Sequence, residues 1–347
     1  MTNYAKRPSG KRILAWLGPL RLSGFTLLLV SIFATGIGSI DLSFSAVSQA
    51  VWNGITGQVE STYDVIVWQI RVPRVLLAGM VGGALAVSGA TYQAVFRNPL
   101  AEPYLLGVAS GAALGATIVM AFGAGFLLFA GVGLPIVAFI FGLVTVLVVV
   151  FLARQRGRLP VLSLVLAGAV LSAIFTAITS FLMLSAREQV AGIIAWLLGS
   201  FSLASWDEVI IVFPLMVIAL SIIGLSGRYL NLLQLGEDQA AQLGLNVETT
   251  KLVLVAAATL ATAAAVSVSG IIGFVGLMVP HAVRLAFGPD HRVLIPLTVI
   301  LGAIFMVLAD LVARTLIAPV EIPIGVITAL VGGPFFLFLL RTQRVVR

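Results

Sequence analysis

The sequence predicts an all-α membrane protein of ten transmembrane helices, and three observations carry that prediction. Of 347 residues, 60% are hydrophobic and only 10% charged, against roughly 25% charged in a soluble domain. The apolar residues fall in ten runs close to the ~20 residues that cross a bilayer as helix. The charged residues collect between those runs. Mean hydropathy is +1.15, which fits neither a soluble enzyme, a disordered chain nor a nucleic-acid module. The chain has no cysteine, which excludes disulfides, thiolate metal sites and cysteine nucleophiles.

In chain order the spans are read at about 22–40, 74–96, 103–122, 134–153, 160–184, 207–226, 251–269, 271–287, 292–313 and 322–341. A shorter apolar piece at 190–201 is too short to span and is expected on, or dipping into, the outer surface. The basic N-terminus followed by an apolar run from Leu22 also has the outline of a secretory signal. That run is long enough to span and no clear A-x-A site follows, so it reads as a retained first helix.

Charge gives the orientation. With the N-terminus cytoplasmic, 16 of the 20 Lys and Arg lie on inner segments, and only Arg71, Arg74, Arg187 and Arg314 lie outside. Acids divide into 5 inside and 8 outside, so the inner side carries +11 and the outer side −4. Lys and Arg alone satisfy the positive-inside rule, and an even number of spans returns both basic ends to the cytoplasm. The net charge of +7 is therefore topology rather than a nucleic-acid footprint. Residues 1–21 and 342–347 read as cytoplasmic tails around one membrane domain, 22–341.

Two five-helix halves would be inverted relative to each other, as in many transporters. Ala86-Val87-Ser88-Gly89 echoes Ser267-Val268-Ser269-Gly270, a weak sign of such a repeat. Glycine pairs four apart (Gly79/Gly83, Gly107/Gly111, Gly111/Gly115) allow close helix approach, within the chain or across a dimer face.

The sequence holds no engine. Its Gly10-Lys11 lacks the earlier glycine of a P-loop, and neither H-E-x-x-H nor G-x-S-x-G occurs. His281 and His291 have no carboxylate or cysteine at ligand spacing, which favours structural roles. Asp310, near the outer end of the ninth span, is the candidate proton relay for an ion-coupled carrier. Arg314 one turn on offers a local ion pair instead.

Three constellations remain. Arg71-Val72-Pro73-Arg74, with Arg314, supplies three of the four outer cations. They suit either interfacial anchoring or docking of an acidic soluble partner. Arg97-Asn98-Pro99-Leu100-Ala101-Glu102-Pro103 is an inner turn between two prolines, either a tight loop or a constriction at the inner mouth. Gly236-Glu237-Asp238-Gln239-Ala240-Ala241-Gln242-Leu243-Gly244-Leu245 predicts a short inner surface helix. Acids lie in its first turn, glycine ends it, and Leu235, Leu243 and Leu245 offer apolar contacts.

These motifs, in this order, resemble the permease subunits of ATP-binding-cassette importers for iron–siderophore complexes, haem and cobalamin, the type II importers with a cobalamin-permease-like fold. The resemblance runs from about 22 to 341. It is carried by RVPR (71–74), VSGATYQAVFRNPLAEPYLLGVASGAALGA (87–116), GEDQAAQLG (236–244), GIIGFVGLMVPHAVRL (270–285), GPDHR (288–292), LADLVAR (308–314) and EIPIGVITALVGGPFF (321–336). The family often has Glu-Leu-Pro where this chain has Glu321-Ile322-Pro323.

The resemblance implies a permease in a prokaryotic plasma (inner) membrane that moves a metal chelate inward. Its partners would be a second permease copy, two ATPase subunits inside and a substrate-binding protein outside. This chain would bind no cofactor of its own, with ATP and Mg at the ATPase. Arg71, Arg74 and Arg314 match outer arginines that pair with glutamates of the binding protein. Gly236, Glu237, Asp238, Ala240, Leu243 and Gly244 match the helices that couple to the ATPase. Asn98, Leu100, Val161 and Leu162 match the region of inner closure. Arg187 matches nothing diagnostic and reads either as a partner for a haem propionate or as a stray interfacial charge. The alternatives are an ion-coupled secondary transporter acting without an ATPase, and a structural membrane subunit with no pathway of its own.

Overall fold

A computed structural model describes residues 11–38, 42–122 and 133–343. Among these the chain is helical, in the order α1 (Lys11–Gly36), α2 (Phe44–Thr56), α3 (Thr62–Asp64), α4 (Val72–Val95), α5 (Val108–Phe122), α6 (Gly133–Ala153), α7 (Val161–Ala186), α8 (Val190–Leu197), α9 (Trp206–Leu225), α10 (Gly227–Leu233), α11 (Glu237–Gln242), α12 (Val247–Ser269), α13 (Val275–Phe287), α14 (His291–Thr315) and α15 (Ile324–Gln343). A π-helical turn, Val65–Arg71, makes Thr62–Val95 one continuous helix. Seven described helices are long and apolar enough to cross a membrane: Leu17–Gly36, Thr62–Val95, Gly133–Ala153, Val161–Ala186, Trp206–Leu225, Val247–Ser269 and His291–Thr315. Val108–Phe122, Val275–Phe287 and Ile324–Phe338 are shorter apolar helices.

Helix α4 is the axis of the bundle. Every residue from Val81 to Val95 is buried, and α4 packs on α12, α13 and α14. Small residues make this possible, because helices in lipid associate through close backbone approach rather than through water exclusion. A Cβ on Gly82 would run into the Gly302 carbonyl of α14, and one on Gly89 into the Gly276 carbonyl of α13. The glycine pairs read from sequence pack inside the chain. Gly79 and Gly83 face α14 at Ala303 and Val299, while Gly111 and Gly115 face Thr145 and Phe141 of α6.

Three expected spans come out differently. The run at 103–122 is helical only from Val108, because residues 98–107 form successive tight turns (Ala101 N to Asn98 O, Leu105 N to Glu102 O) around Pro99 and Pro103. The run at 271–287 is helical only from Val275. Gly270, at φ 69°, ends α12, and Phe274, at the same φ, lays its ring against Gly332. The freed backbone is stitched by Ser200 N to Ser269 O, Ile324 N to Gly199 O and Gly325 N to Leu198 O, as buried non-helical backbone in a membrane protein requires. The second span begins earlier than 74, since the stretch between the first two expected spans holds α2, capped by Ser43 onto Ala46 N, and then the π turn that runs into α4.

The piece at 190–201 is the short α8, as expected. The sequence echo of 86–89 in 267–270 does not mark shared geometry: Gly89 lies in mid-helix, whereas Gly270 is the C-cap of α12. Lys6, Arg7, Asp41, Arg344 and Arg347 lie outside the described residues.

Candidate functional site

At the end expected to face outward, α4 and α14 bring the predicted arginines together beneath the surface. All three are largely buried, with 5%, 7% and 8% exposure for Arg71, Arg74 and Arg314. Arg74, next to Pro73 in the first turn of α4, donates Nη2 to Asp310 at 2.8 Å and Nη1 to Glu321 at 2.7 Å. Its Nε also donates to Asp310 at 3.0 Å, which makes the contact bidentate. Arg314 lies 3.4 Å from the other Asp310 oxygen, the expected i,i+4 pair, and its Nη2 donates to the Ala34 carbonyl. Arg71 Nη1 donates to the Thr35 and Gly36 carbonyls at 3.0 and 2.8 Å, tying off the end of α1. Buried charges are tolerated only when paired and hydrogen-bonded, and each partner here comes from this chain. The arrangement joins α1, α4, α14 and the loop before α15.

At the end expected to face inward, Gly236 takes φ 112°, a conformation that L side chains rarely adopt, and turns the chain into α11. Ala240 is fully buried and anchors one face of this helix. Asp238 is exposed on the other face, and Leu235 and Leu243 are 54% and 62% exposed. Leu245 differs from expectation: it packs against the core, because Gly244, at φ 87°, turns the chain back and Leu245 N bonds to Ala240 O at 3.0 Å. Glu237 also does more than open a helix. Its carboxylate pairs with Lys251 Nζ at 3.2 Å, and Lys251, 2% exposed on its side chain, pairs with Glu248 at 2.8 Å. The Lys251 ammonium donates further to the Leu159 carbonyl at 3.1 Å, while the Leu159 N–H donates to Glu248 at 2.7 Å.

The inner turn lies next to this assembly. Asn98 Oδ1 accepts from Leu100 N at 2.9 Å, an Asx turn that fixes the loop and leaves Leu100 52% exposed. A Cβ on Gly236 would meet Arg97 Nη1 at 3.5 Å. Gln93, Arg97, Pro99, Gln234 and Arg284 line an open surface pocket of about 290 Å³. Arg284 donates to Gln93 Oε1 at 3.0 Å on its wall. Val161 and Leu162 open α7, and Leu162 is 70% exposed. Asn98, Leu100, Val161 and Leu162 thus sit in two places, a turn beside α11 and the start of α7, whose preceding Leu159 is tied to α11 through Lys251.

The remaining candidates have structural settings. His291 is fully buried and shares Asn231 Oδ1 through both its backbone N–H and its Nδ1, each at 2.9 Å. His281 meets Phe335 edge-on at 6.3 Å. Among the described residues no group of three or more His, Cys, Asp or Glu converges as a metal site. Asp290 caps α14 and also accepts from Asn231 at 2.7 Å, and the Arg292 guanidinium beside it pushes its carboxyl down to about 2. Arg187 falls in a 3-10 turn, Arg187–Gln189, and its side chain lies outside what is described.

Sequence reasoning missed Lys251, Glu248 and Glu321. Lys251 counted only as one more inner cation, although its place three residues after Glu248 was a readable pairing signal.

Known proteins were compared with this geometry. The FecCD transport family matches residues 26–342. The hemin transport system permease protein HmuU of Yersinia pestis is 42% identical over 336 residues, covering 94% of this chain and 97% of its own. The cobalamin import system permease protein BtuC of Halobacterium salinarum is 42% identical over 287 residues, covering 83% and 76%. A solved transporter classed as metal-chelate type ABC, in an inward-facing conformation, superposes with TM-score 0.82 at 34% identity, covering 93% of this chain and 98% of its own.

Proposed function

The chain belongs to the FecCD transport family, and from that premise we propose that it is the permease subunit of an ABC importer that moves a metal chelate into the cytoplasm. ATP is hydrolysed on a separate subunit, since no P-loop is present. The cargo class, ferric siderophore, haem or cobalamin, follows from what the relatives are named for carrying.

One observation carries the reading: α11 is locked into the bundle on one face by Ala240 and Glu237, yet presents Asp238 outward, with exposed Leu235 and Leu243 flanking its two ends. Exposed leucines at both ends of a firmly held short helix are what a motor subunit can grip. Gly236 and Gly244 set its two ends. Asn98 and Leu100, with Val161 and Leu162, form the inner closure.

We count α5, α13 and α15 with the seven long helices as ten spans in one domain, 22–341, with both tails in the cytoplasm of a prokaryotic cell. Helix α5 is about 22 Å long at 1.5 Å per residue, short of the ~30 Å hydrocarbon core, so the turns at 98–107 complete that crossing. A second copy pairs with the long apolar stripe of α7, where Leu166, Val170, Ile174 and Phe181 are exposed. The outer cluster pairs Arg74 and Arg314 with Asp310 and Glu321. Glutamates of a substrate-binding protein would dock there by competing with Glu321, the half-buried member. Mg and ATP belong to the ATPase, and this chain holds no cofactor.

The test is purification of the intact complex from native membranes, then calorimetric titration of its soluble binding protein with cobalamin, haem and ferric siderophores. Tight binding of one chelate supports the importer reading and names the cargo. Purification of an intact chain with neither ATPase nor binding protein overturns it in favour of a solitary carrier.

A further inference from the structure

We propose that Lys251 is a positioning residue that transmits movement of the coupling helix α11 to the inner end of α7. The proposal rests on the coupling role assigned above to α11 and names the connection through which that role reaches the pathway.

The contacts form an unbroken chain. Glu237, the first residue of α11, holds Lys251 Nζ through both carboxylate oxygens at 3.2 Å. Lys251 lies one turn into α12, and its Nζ also contacts Glu248 at 2.8 Å and the Leu159 carbonyl at 3.1 Å. Glu248 in turn accepts the Leu159 N–H at 2.7 Å. Leu159 is therefore held at both of its backbone polar groups by one ion-paired cluster. It stands two residues before Val161, where α7 begins.

The peptide is stiff on either side of that grip. Upstream, Gln155 and Arg158 exchange backbone hydrogen bonds at 3.0 and 2.9 Å across a tight turn. Downstream, Pro160 follows, and its carbonyl accepts Leu164 N at 3.1 Å in the first turn of α7. Leu159 itself is buried. A displacement of α11 that carries Glu237 must break the cluster or move Leu159, and with it Val161 and Leu162. Breaking it is unfavourable, because Lys251 is buried and would be left without compensation. The ammonium is also what holds two carboxylates in one small site, so a neutral side chain there would set Glu237 and Glu248 against each other.

The absence of cysteine makes the test direct. A nitroxide is attached at Leu162→Cys, and the protein is studied in nanodiscs with its ATPase bound. Its spectrum is recorded without nucleotide and with ATP plus vanadate. The unmodified relay is expected to change the label's mobility on nucleotide trapping. Lys251→Met should reduce that change about fivefold or more, in the range of a typical coupling energy, and Lys251→Arg should restore most of it. Glu248→Leu, which leaves Lys251 paired with Glu237 but removes the acceptor of the Leu159 N–H, should show the same loss if Lys251→Met does not insert. A full nucleotide response in Lys251→Met, or in Glu248→Leu where the first variant does not insert, overturns the relay.

Leu243→Asp, on the exposed face of α11, separates the two claims. If it abolishes the response while Lys251→Met does not, the relay alone fails. If it leaves the response intact, the coupling role of α11 fails as well.

Discussion

Arg74 on α4 and Asp310 on α14, 236 positions apart, meet in a bidentate contact whose shortest arm is 2.8 Å. Both side chains are buried, at 9% and 1% exposure, so the pair fastens two central helices where neither charge can reach water. This makes Asp310 a fixed structural partner, held from the other side by Arg314 at 3.4 Å.

The costs of removing the two members should therefore not add. Arg74→Met or Asp310→Leu alone leaves the other buried charge with only its second partner, Arg314 or Glu321, and is expected to destabilise the protein by up to about 3–5 kcal/mol. The double variant should lose clearly less than the sum. Thermal unfolding of the four proteins in one detergent gives the cycle, and simple additivity would contradict the pairing.

Close packing makes a second prediction. Gly89→Ala, against the Gly276 carbonyl, should destabilise by about 1–3 kcal/mol through overpacking. Gly24→Ala on α1, where nothing lies within 4 Å of a new Cβ, should be neutral or stabilising by up to ~1 kcal/mol. The same thermal assay ranks them.

Asp290 gives a pH dependence. Its folded value, about 2, lies below the ~3.9 of an unfolded aspartate. The stability it contributes is fully present above about pH 4 and is lost as pH falls through about 2. Asp290→Asn should therefore be less stable than the native protein at pH 6, and the gap should be clearly narrower at pH 2.5. An equally wide gap at both values would show that the ionised carboxylate is not responsible.

Docking is tested by salt. Arg71 donates to the carbonyls that end α1, and Arg71→Gln removes its positive charge while keeping an amide donor. Binding of the substrate-binding protein should weaken, and the difference should shrink from 50 to 500 mM salt as screening grows. Unchanged affinity at low salt would remove Arg71 from the docking surface.

The long helices were legible in the sequence because a run of ~20 apolar residues has few other uses. Their interruptions were not. Hydropathy registers Ile271 and Ile272 as membrane residues but carries no sign that Gly270 and Phe274 take positive φ and break the helix there. Helix α2 was hidden by its polar neighbours, although Ser43, Val47 and Ala50 already had the cap and spacing of a half-buried helix. The motif residues stood out in the sequence, while their partners did not. Charge counting cannot join Arg74 to Asp310 or Lys251 to Leu159, because those contacts exist only once distant helices pack.

The central claim, ATP-driven import through this chain, is tested most directly by uptake into proteoliposomes. The permease, its ATPase and its binding protein are reconstituted with cobalamin, haem or a ferric siderophore outside the binding-protein face. The account predicts accumulation of one chelate that requires ATP at the ATPase and is lost in the Leu243→Asp variant. Accumulation driven by a proton gradient without ATP or ATPase, and abolished by Asp310→Asn, would contradict it.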